Sequence, residues 1–262
     1  MPCIETGRVS LFVKERGRGG VPVLLLHELG GSSDSWASVI RLLAADRRVI
    51  AVDLRCAGRS EKPIGPFTMA DVADDLNRLL HALDLGPVDV VGAALGSLAG
   101  AVLAIRNPAR VRRLMMCAVA PEMVGPTQSY LAERAEKVRV GGMRGVAEAS
   151  LTNSFPASHL SQRAAYRGTY LGNDPAAYAE LSLALGRLEM TRADWASIRA
   201  PVLVASGAND FLWPPSVGQQ VAGLIPGAGF EVIEDAGHFP HLQAPESLVR
   251  LARSFLQDGD RP

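Results

Sequence analysis

The chain has 262 residues, of which 48% are hydrophobic, and its 27 Lys and Arg residues balance its 27 Asp and Glu residues. This length fits one α/β domain with a large buried core, and the apolar content excludes a disordered chain. The formal net charge of zero gives no basis for binding nucleic acid or an anionic membrane surface.

The cysteines and the N-terminal segment indicate where the protein works. Three cysteines, Cys3, Cys56 and Cys117, are dispersed without ligand-like spacing, which argues against a disulfide framework and for a reducing compartment. The N-terminal residues lack the apolar core of a signal peptide, and no run approaches about eighteen apolar residues. We therefore predict a cytoplasmic protein. Nothing in the sequence specifies an oligomeric state.

Short apolar segments alternate with helical patterns along the chain. The predicted strands are Val9–Lys14, Val23–Leu26, Arg48–Leu54, Pro87–Val91, Val111–Ala118, Pro201–Ser206 and Phe230–Ile233. The first predicted helix begins after Asp34 and ends at about Ala44. The others cover Met69–Leu83, Ala94–Asn107, Pro215–Leu224 and Pro245–Gln257. This alternation is typical of an α/β fold with a mostly parallel sheet and helices on both faces.

The alternation is interrupted once, between Glu122 and Ile198. This stretch has no buried-strand pattern and contains helical segments at Tyr130–Val140, Gly145–Leu151 and Pro175–Leu188. A single crossover needs only about a dozen residues, so we interpret residues 122–198 as a helical lid over the carboxyl ends of the strands. Residues 1–121 and 199–262 then form the core. Three arginines of the lid could pair with an anionic substrate, although a solvated helix face is the expected role of each: Arg134, Arg139 and Arg144.

Four local motifs follow predicted strands in a fixed order. The first is His27–Ser33 (HELGGSS), the second is Asp53–Ser60 (DLRCAGRS), and the third is Val90–Ser97 (VVGAALGS). The fourth is a pair, Gly207–Asp210 (GAND) and Gly237–His241 (GHFPH). Loops that follow parallel strands meet at one edge of the sheet, so these motifs are expected to share one site.

In kind and order these motifs resemble those of the α/β-hydrolase superfamily, over essentially the whole chain. The segments Leu131–Met143 and Asn173–Tyr178 of the predicted lid are similar to those of small lactonases and esterases typified by 3-oxoadipate enol-lactonase. The resemblance implies an α/β-hydrolase fold and activity on a small ester, lactone or related carbonyl compound.

The third motif has the form of a nucleophile elbow without its nucleophile. Gly92 and Gly96 stand where glycines allow a sharp strand-to-helix turn. The residue between them is Ala94, and a methyl group cannot attack a carbonyl. Ser97 and Cys117 are interpreted as core residues, so no displaced nucleophile is predicted.

The remaining catalytic groups of the superfamily pattern are present. His238 follows the last strand and Asp210 follows the preceding one, which matches a general base and the acid that orients it. His27 and His241 are interpreted as structural. His27 is expected to brace the loop of the first motif, His27–Ser33, which we call the oxyanion loop.

The oxyanion hole is predicted from the backbone N–H groups of Leu29 and Leu95. Glu28 is unusual in this loop and has two interpretations: its carboxylate points away from the cavity and bonds a loop, which we favour, or it borders the reaction site with a raised pKa as a candidate acid or base. Trp213 is a candidate cavity residue. We predict a small-molecule substrate, no metal and no organic cofactor, because dinucleotide, phosphate-loop and metal-ligand patterns are absent.

Three explanations of Ala94 remain open. In the first, the chain is an engineered, inactive Ser→Ala variant of an ester or lactone hydrolase. In the second, it is a natural serine-free enzyme whose His238–Asp210 pair acts as the base. In the serine-free case the reaction is a hydrolysis, or a C–C cleavage or cofactor-free lyase step that also uses Glu28. The third explanation, a non-catalytic receptor for a small molecule, is disfavoured because a receptor has no need of an oriented base.

Overall fold

The structure is a computed structural model and describes residues 3–63 and 65–257. Within these residues eight strands form one sheet. They are β1 (Cys3–Glu5), β2 (Ser10–Arg16), β3 (Val23–Leu26), β4 (Val49–Val52), β5 (Val88–Ala93), β6 (Val111–Cys117), β7 (Val202–Gly207) and β8 (Gly229–Ile233). Their spatial order is β1-β2-β4-β3-β5-β6-β7-β8. The pairings of β1 with β2 and of β2 with β4 are antiparallel, and the others are parallel.

Helices cover both faces of this sheet. In chain order they are α1 (Ala37–Leu43), α2 (Met69–Ala82), α3 (Leu95–Arg106), α4 (Pro126–Gly141), α5 (Arg144–Ser154), α6 (Leu160–Leu171), α7 (Pro175–Gly186), α8 (Arg192–Ala196), α9 (Pro215–Leu224), α10 (Pro240–Gln243) and α11 (Pro245–Phe255). Local sequence explains several of their ends. The Thr68 hydroxyl and the Asp71 carboxylate cap the start of α2 reciprocally, and α3 ends before Pro108.

The central strands divide the core into two apolar layers. Leu24 and Leu26 of β3 pack with residues of α2, α3 and α9 on one face of the sheet. Val23 and Leu25 of the same strand pack with residues of α1 and α11 on the other face. Successive side chains of a strand point to opposite faces, so a strand covered on both sides is apolar throughout, as the sequence of β3 predicts.

The α/β fold with a mostly parallel sheet is confirmed, and each of the seven predicted strands corresponds to one of β2–β8. The prediction missed β1, whose three residues are held by pairing with β2. It also missed α6, which buries only Tyr166 and Tyr170 and therefore shows little apolar periodicity. The predicted first helix begins as a 3₁₀ turn at Ser33–Trp36 and continues as α1.

Five helices, α4 to α8, lie between β6 and β7, and we call residues 122–198 the helical insert. Within the insert, α4 and α7 pack on each other. In the part of the chain that the structure describes, no helix has the length and apolar character needed to cross a membrane.

Candidate active site

Ala94 lies at the sharp turn between β5 and α3. Its backbone has φ of 48° and ψ of −111°, a conformation that non-glycine residues rarely adopt. A Cβ at Gly92 would lie 2.5 Å from the backbone of Gly96, and one at Gly96 would lie 2.1 Å from the carbonyl oxygen of Leu26. Both glycines are therefore needed for strand and helix to approach this closely. The turn has the form of a nucleophile elbow that carries a methyl group.

Ser97 and Cys117 do not supply the missing nucleophile. The Ser97 hydroxyl donates to the carbonyl oxygen of Cys117 at 2.8 Å and accepts from the backbone N–H of Cys117 at 3.0 Å. Both residues are fully buried, and burial raises the pKa of the Cys117 thiol to about 12. The two side chains tie α3 to β6 beneath the elbow, in agreement with their interpretation as core residues.

His238 and Asp210 form a hydrogen-bonded pair in the loops after β8 and β7. Nδ1 of His238 lies 2.9 Å from one carboxylate oxygen of Asp210. The other oxygen accepts from the backbone N–H groups of Leu212 and Trp213, at 2.9 Å each. A carboxylate can only accept, so Nδ1 carries the imidazole proton and Nε2 is left as a base. The structure thus brings together two residues that stand 28 positions apart in the sequence.

Two backbone amides lie beside the elbow. Leu29 follows β3, and Leu95 is the first residue of α3. Neither N–H donates a hydrogen bond to another described residue, which for Leu95 follows from its place in the first helical turn. Both residues line the same cavity as Ala94 and His238. The two N–H groups predicted to form an oxyanion hole are therefore available to a ligand.

The cavity beside Ala94 has a volume of about 300 Å³. The core contributes the elbow, the oxyanion loop and the His238 loop, and the insert contributes residues from α4, α5 and α7. The lining residues are Leu29, Ala94, Leu95, Met123, Pro126, Thr127, Tyr130, Leu131, Arg134, Ser150, Asn153, Ser154, Leu185, Leu212, Trp213, His238 and Phe239. A cavity of this size fits a small molecule and is mainly apolar.

Trp213 lies at the cavity, where the sequence made it a candidate. Its ring meets the imidazole of His238 edge-on, with 5.2 Å between the ring centroids. Phe239 contacts the same imidazole at a centroid distance of 4.9 Å. The two aromatic rings pack against His238 and restrict its orientation.

Glu28 lies outside the cavity lining. Its fully buried carboxylate accepts from the Ser35 hydroxyl at 2.8 Å and from Nε2 of His241 at 2.9 Å. Burial alone would raise the pKa of Glu28, but the charge and hydrogen bond of His241 outweigh it and lower the pKa to about 2. The alternative in which Glu28 borders the reaction site with a raised pKa is therefore wrong. The Glu28 side chain connects the oxyanion loop to Ser35 and His241 on the side away from the cavity.

His27 links the oxyanion loop to the loop after β4. Its Nε2 accepts from the backbone N–H of Leu54 at 3.0 Å, so the proton is on Nδ1, which lies 2.8 Å from the carbonyl oxygen of Glu28. His241 stacks on Trp36 with 4.4 Å between centroids. Both histidines are fully buried and hold the backbone around Leu29.

The insert contributes polar residues to the cavity, and one of them is an arginine named in the sequence analysis. Arg134 was expected on a solvated helix face, but it is part-buried and lines the cavity. Arg139 instead pairs with Glu180 at 2.6 Å, and Arg144 is exposed. The apolar pattern of α4 is weak because only Leu131, Ala135 and Val138 are buried, so no periodicity predicts which way these arginine side chains point.

The insert also holds the oxyanion loop directly. The Asn173 side-chain amide donates to the carbonyl oxygen of Gly30 at 2.8 Å. Gly30 has φ of 89°, and a Cβ there would lie 2.7 Å from the ring of Tyr170. Glycine at this position therefore lets α6 pack against the loop that presents Leu29.

Among the described residues no group of three or more His, Cys, Asp or Glu side chains is arranged to hold a metal ion. The chemistry that the geometry offers is that of an oriented imidazole base and two backbone N–H donors at one cavity.

Known proteins are similar to this chain in sequence and in architecture. The family model of the alpha/beta hydrolase fold matches residues 21–245. A putative carbamate hydrolase RutD from Caulobacter vibrioides is 29% identical over 241 residues, which cover 90% of each chain. The enol-lactonase from Burkholderia xenovorans LB400 superposes with a TM-score of 0.89 at 28% identity, covering 95% of this chain and 96% of the other.

A thermophilic esterase from Thermogutta terrifontis, solved with malate bound, superposes with a TM-score of 0.90 at 28% identity and covers 95% of this chain and 93% of its own. The family match extends over most of the chain and includes the elbow, the oxyanion loop and the His238–Asp210 pair. The chain belongs to the alpha/beta hydrolase fold family.

Proposed function

We propose that this protein hydrolyses a small ester, lactone or carbamate, and that His238 activates a water molecule in place of a side-chain nucleophile. The observation that carries the proposal is the hydrogen-bonded His238–Asp210 pair, which shares one cavity with Ala94. An oriented imidazole with a free Nε2 serves no structural purpose in an apolar cavity. The named carbamate hydrolase, enol-lactonase and esterase among its relatives support the substrate class.

The reaction needs only groups that the chain supplies. Nε2 of His238 takes a proton from water as the water oxygen forms a bond to the carbonyl carbon, and Asp210 stabilises the imidazolium. The N–H groups of Leu29 and Leu95 stabilise the oxyanion. When the carbonyl re-forms, the bond to the leaving oxygen breaks and the imidazolium returns its proton to that oxygen. An ester then yields a carboxylic acid and an alcohol, and a lactone yields a hydroxy acid.

The methyl side chain of Ala94 limits the rate of hydrolysis and excludes an acyl-enzyme intermediate. Without a hydroxyl at the elbow no acyl-enzyme forms, so the attacking water must occupy the space beside the methyl group. Sites that lack a triad member keep about 10³–10⁴-fold catalysis over water from the oxyanion hole and substrate binding. The serine-free reaction is therefore expected to favour substrates with reactive carbonyl groups.

The helical insert acts as a lid in this proposal. Residues 122–198 close one side of the cavity, while residues 1–121 and 199–262 carry the reacting groups. The contacts of Asn173 and Tyr170 with Gly30 support a coupling between closure of the insert and the position of the Leu29 amide. The lyase alternative that relies on Glu28 has no comparable support, because that side chain is outside the cavity lining.

The test compares three variants on p-nitrophenyl acetate and on a panel of small lactones and carbamates. We expect turnover by the unmodified protein, loss of turnover in His238→Ala, and no change in His81→Ala, which removes an exposed histidine that contacts Arg110. Ala94→Ser should hydrolyse the activated ester through an acyl-enzyme, visible as a burst of p-nitrophenol.

Two outcomes would contradict the proposal. Turnover by Ala94→Ser alone would mean that Ala94 replaces a required serine and that water activation by His238 does not suffice. Ligand binding without turnover by either protein, unaffected by His238→Ala, would indicate a receptor.

A further inference from the structure

The side chain of Gln243 holds the backbone on both sides of His238. We call residues 237–239 the base loop. The Gln243 amide oxygen accepts from the backbone N–H groups of Gly237 at 2.8 Å and Phe239 at 3.1 Å. The backbone N–H of Gln243 in turn donates to the carbonyl oxygen of Phe239 at 3.0 Å. Gln243 is buried at the end of α10, so three hydrogen bonds from one residue fix the two neighbours of the imidazole.

The same side chain reaches the helical insert. The amide nitrogen of Gln243 donates to the carbonyl oxygen of Ser154 at 2.8 Å, at the C-terminal end of α5. A backbone N–H can only donate and a carbonyl oxygen can only accept, so the partners determine which end of the amide faces each of them. The amide serves both sides at once, whereas a carboxylate cannot donate and an ammonium group cannot accept.

Two apolar contacts join the same two parts of the chain. The ring of Phe155 meets the ring of Phe239 edge-on, with 5.6 Å between their centroids. A Cβ at Gly237 would lie 2.7 Å from two ring carbons of Pro156, so the proline packs directly on the backbone of the base loop. Residues 154–156 of the insert therefore contact the base loop and Gln243 through a hydrogen bond, a ring contact and a close backbone approach.

Loss of the Gln243 amide would leave buried backbone groups without their acceptor. Gly237 and Phe239 are both buried, and a buried N–H without a partner is costly. The base loop would therefore shift toward another acceptor or toward water. Asp210 lies on a different loop, after β7, and would not move with it. Such a shift would lengthen the 2.9 Å contact between His238 and Asp210 and move the imidazole relative to the elbow.

We infer that Gln243 is a positioning residue for His238: its amide oxygen holds the base loop, and its amide nitrogen seats residues 154–156 of the insert on that loop. The inference rests on the proposed function for the role of His238 as a base, but the position of the imidazole can be measured without turnover. The insert also contacts the oxyanion loop, where Asn173 donates to Gly30. Both loops that carry reacting groups are thus tied to the insert.

The first experiment follows the Nδ1 proton of His238 by NMR in protein with isotope-labelled histidine. The hydrogen bond to Asp210 shifts this proton downfield and protects it from exchange with water. Its signal is assigned by its absence from His238→Ala. We expect the signal in the unmodified protein and its loss in Gln243→Leu. The Nδ1 signal of His27, which lies 2.8 Å from the carbonyl oxygen of Glu28, should stay unchanged and shows that the fold is intact.

The second experiment separates the two ends of the amide. Gln243→Glu keeps an acceptor for both backbone N–H groups and loses the donor to Ser154. The variants are compared in the unmodified protein or in Ala94→Ser, depending on which turns over p-nitrophenyl acetate, at a pH on the plateau of the rate profile.

The two changes should have different kinetic effects. Gln243→Leu should lower kcat by about 10²-fold, the cost of displacing a reacting group by about 1 Å. Gln243→Glu should keep kcat within about threefold and raise KM several-fold, because the base stays in place while the cavity wall at Ser154 loosens.

Gln219→Leu is the matched control, because it makes the same change at an exposed position of α9. It should leave the His238 signal, kcat and KM unchanged. Where Gln243→Leu fails to fold, Gln243→Asn takes its place. This side chain is one methylene shorter and cannot keep both backbone N–H groups and Ser154 at hydrogen-bond distance, so it should also lose the signal.

Absence of the His238 signal from the unmodified protein, or an unchanged signal in Gln243→Leu, would overturn the inference. A purely structural role of Gln243 predicts a lower melting temperature with an unchanged signal and an unchanged kcat. Equal losses of kcat in Gln243→Leu and Gln243→Glu would contradict the separate roles of the amide oxygen and nitrogen.

The outcome also distinguishes this inference from the proposed function. Loss of the signal in Gln243→Leu, without turnover by either the unmodified protein or Ala94→Ser, would contradict the proposed hydrolysis and leave the positioning role standing. Turnover combined with a signal that Gln243→Leu does not change would do the reverse.

Discussion

Replacement of Glu28 by glutamine tests the buried contact between the Glu28 carboxylate and His241 behind the oxyanion loop. The carboxylate is fully buried between His241 and Ser35, and its pKa falls from an ordinary value of 4.5 to about 2. At about 1.4 kcal/mol per pKa unit, this corresponds to ~3 kcal/mol of stability at neutral pH. Glu28→Gln keeps the shape and removes the charge, so we expect it to lose about that amount.

The pH dependence follows from the direction of the pKa change. A carboxyl group whose pKa is lower in the folded state stabilises the protein above its unfolded pKa, and this contribution is lost as pH falls through the folded pKa. The contribution of Glu28 is therefore nearly complete above about pH 5 and about half lost near pH 3. The stability difference between the unmodified protein and Glu28→Gln should shrink over that range.

Urea denaturation followed by tryptophan fluorescence measures this difference at each pH, since Trp36 stacks on His241. A loss of ~3 kcal/mol also predicts a melting temperature lower by about 6–12 °C. The control is Glu133→Gln on the exposed face of α4, where the side chain is 70% exposed and lies 3.9 Å from Lys137. It should change stability by less than about 0.5 kcal/mol. A deficit of Glu28→Gln that is equal at pH 7 and pH 3, or below about 1 kcal/mol at pH 7, would refute the reasoning.

Two further predictions concern the elbow and the base. Gly96→Ala should destabilise the protein by more than about 3 kcal/mol, because the new Cβ would lie 2.1 Å from the carbonyl oxygen of Leu26. Gly168→Ala on α6 meets nothing within 4 Å and should raise stability by up to about 1 kcal/mol in the same denaturation assay; similar effects of the two changes would contradict this. Asp210→Asn should lower kcat by about 10⁴-fold. It is made in the unmodified protein or in Ala94→Ser, depending on which of the two turns over substrate. An unchanged kcat would show that His238 needs no carboxylate to orient it.

The sequence alone predicted the features that depend on neighbouring residues. Continuous apolar runs identified buried strands such as β3, and Gly92 and Gly96 identified the elbow because only glycine tolerates the close approach of strand and helix. His238 and Asp210 were found from their loops, since the carboxyl ends of parallel strands meet at one edge of the sheet. These are local patterns and a topological rule, and both can be read from one chain.

The tertiary structure decided the questions that depend on distant partners. The ionisation of Glu28 is set by His241, which lies 213 positions away in the sequence, and no local pattern reveals whether a loop carboxylate faces a cavity or a histidine. From the sequence, Arg134 could lie on a solvated helix face or at the substrate, and its contacts with α5, α6 and α7 place it at the cavity. Burial and charge pairing depend on contacts between segments that are distant in the sequence. The sequence therefore predicted which loops carry the reacting groups, and the folded structure decided which charged side chains lie at the cavity.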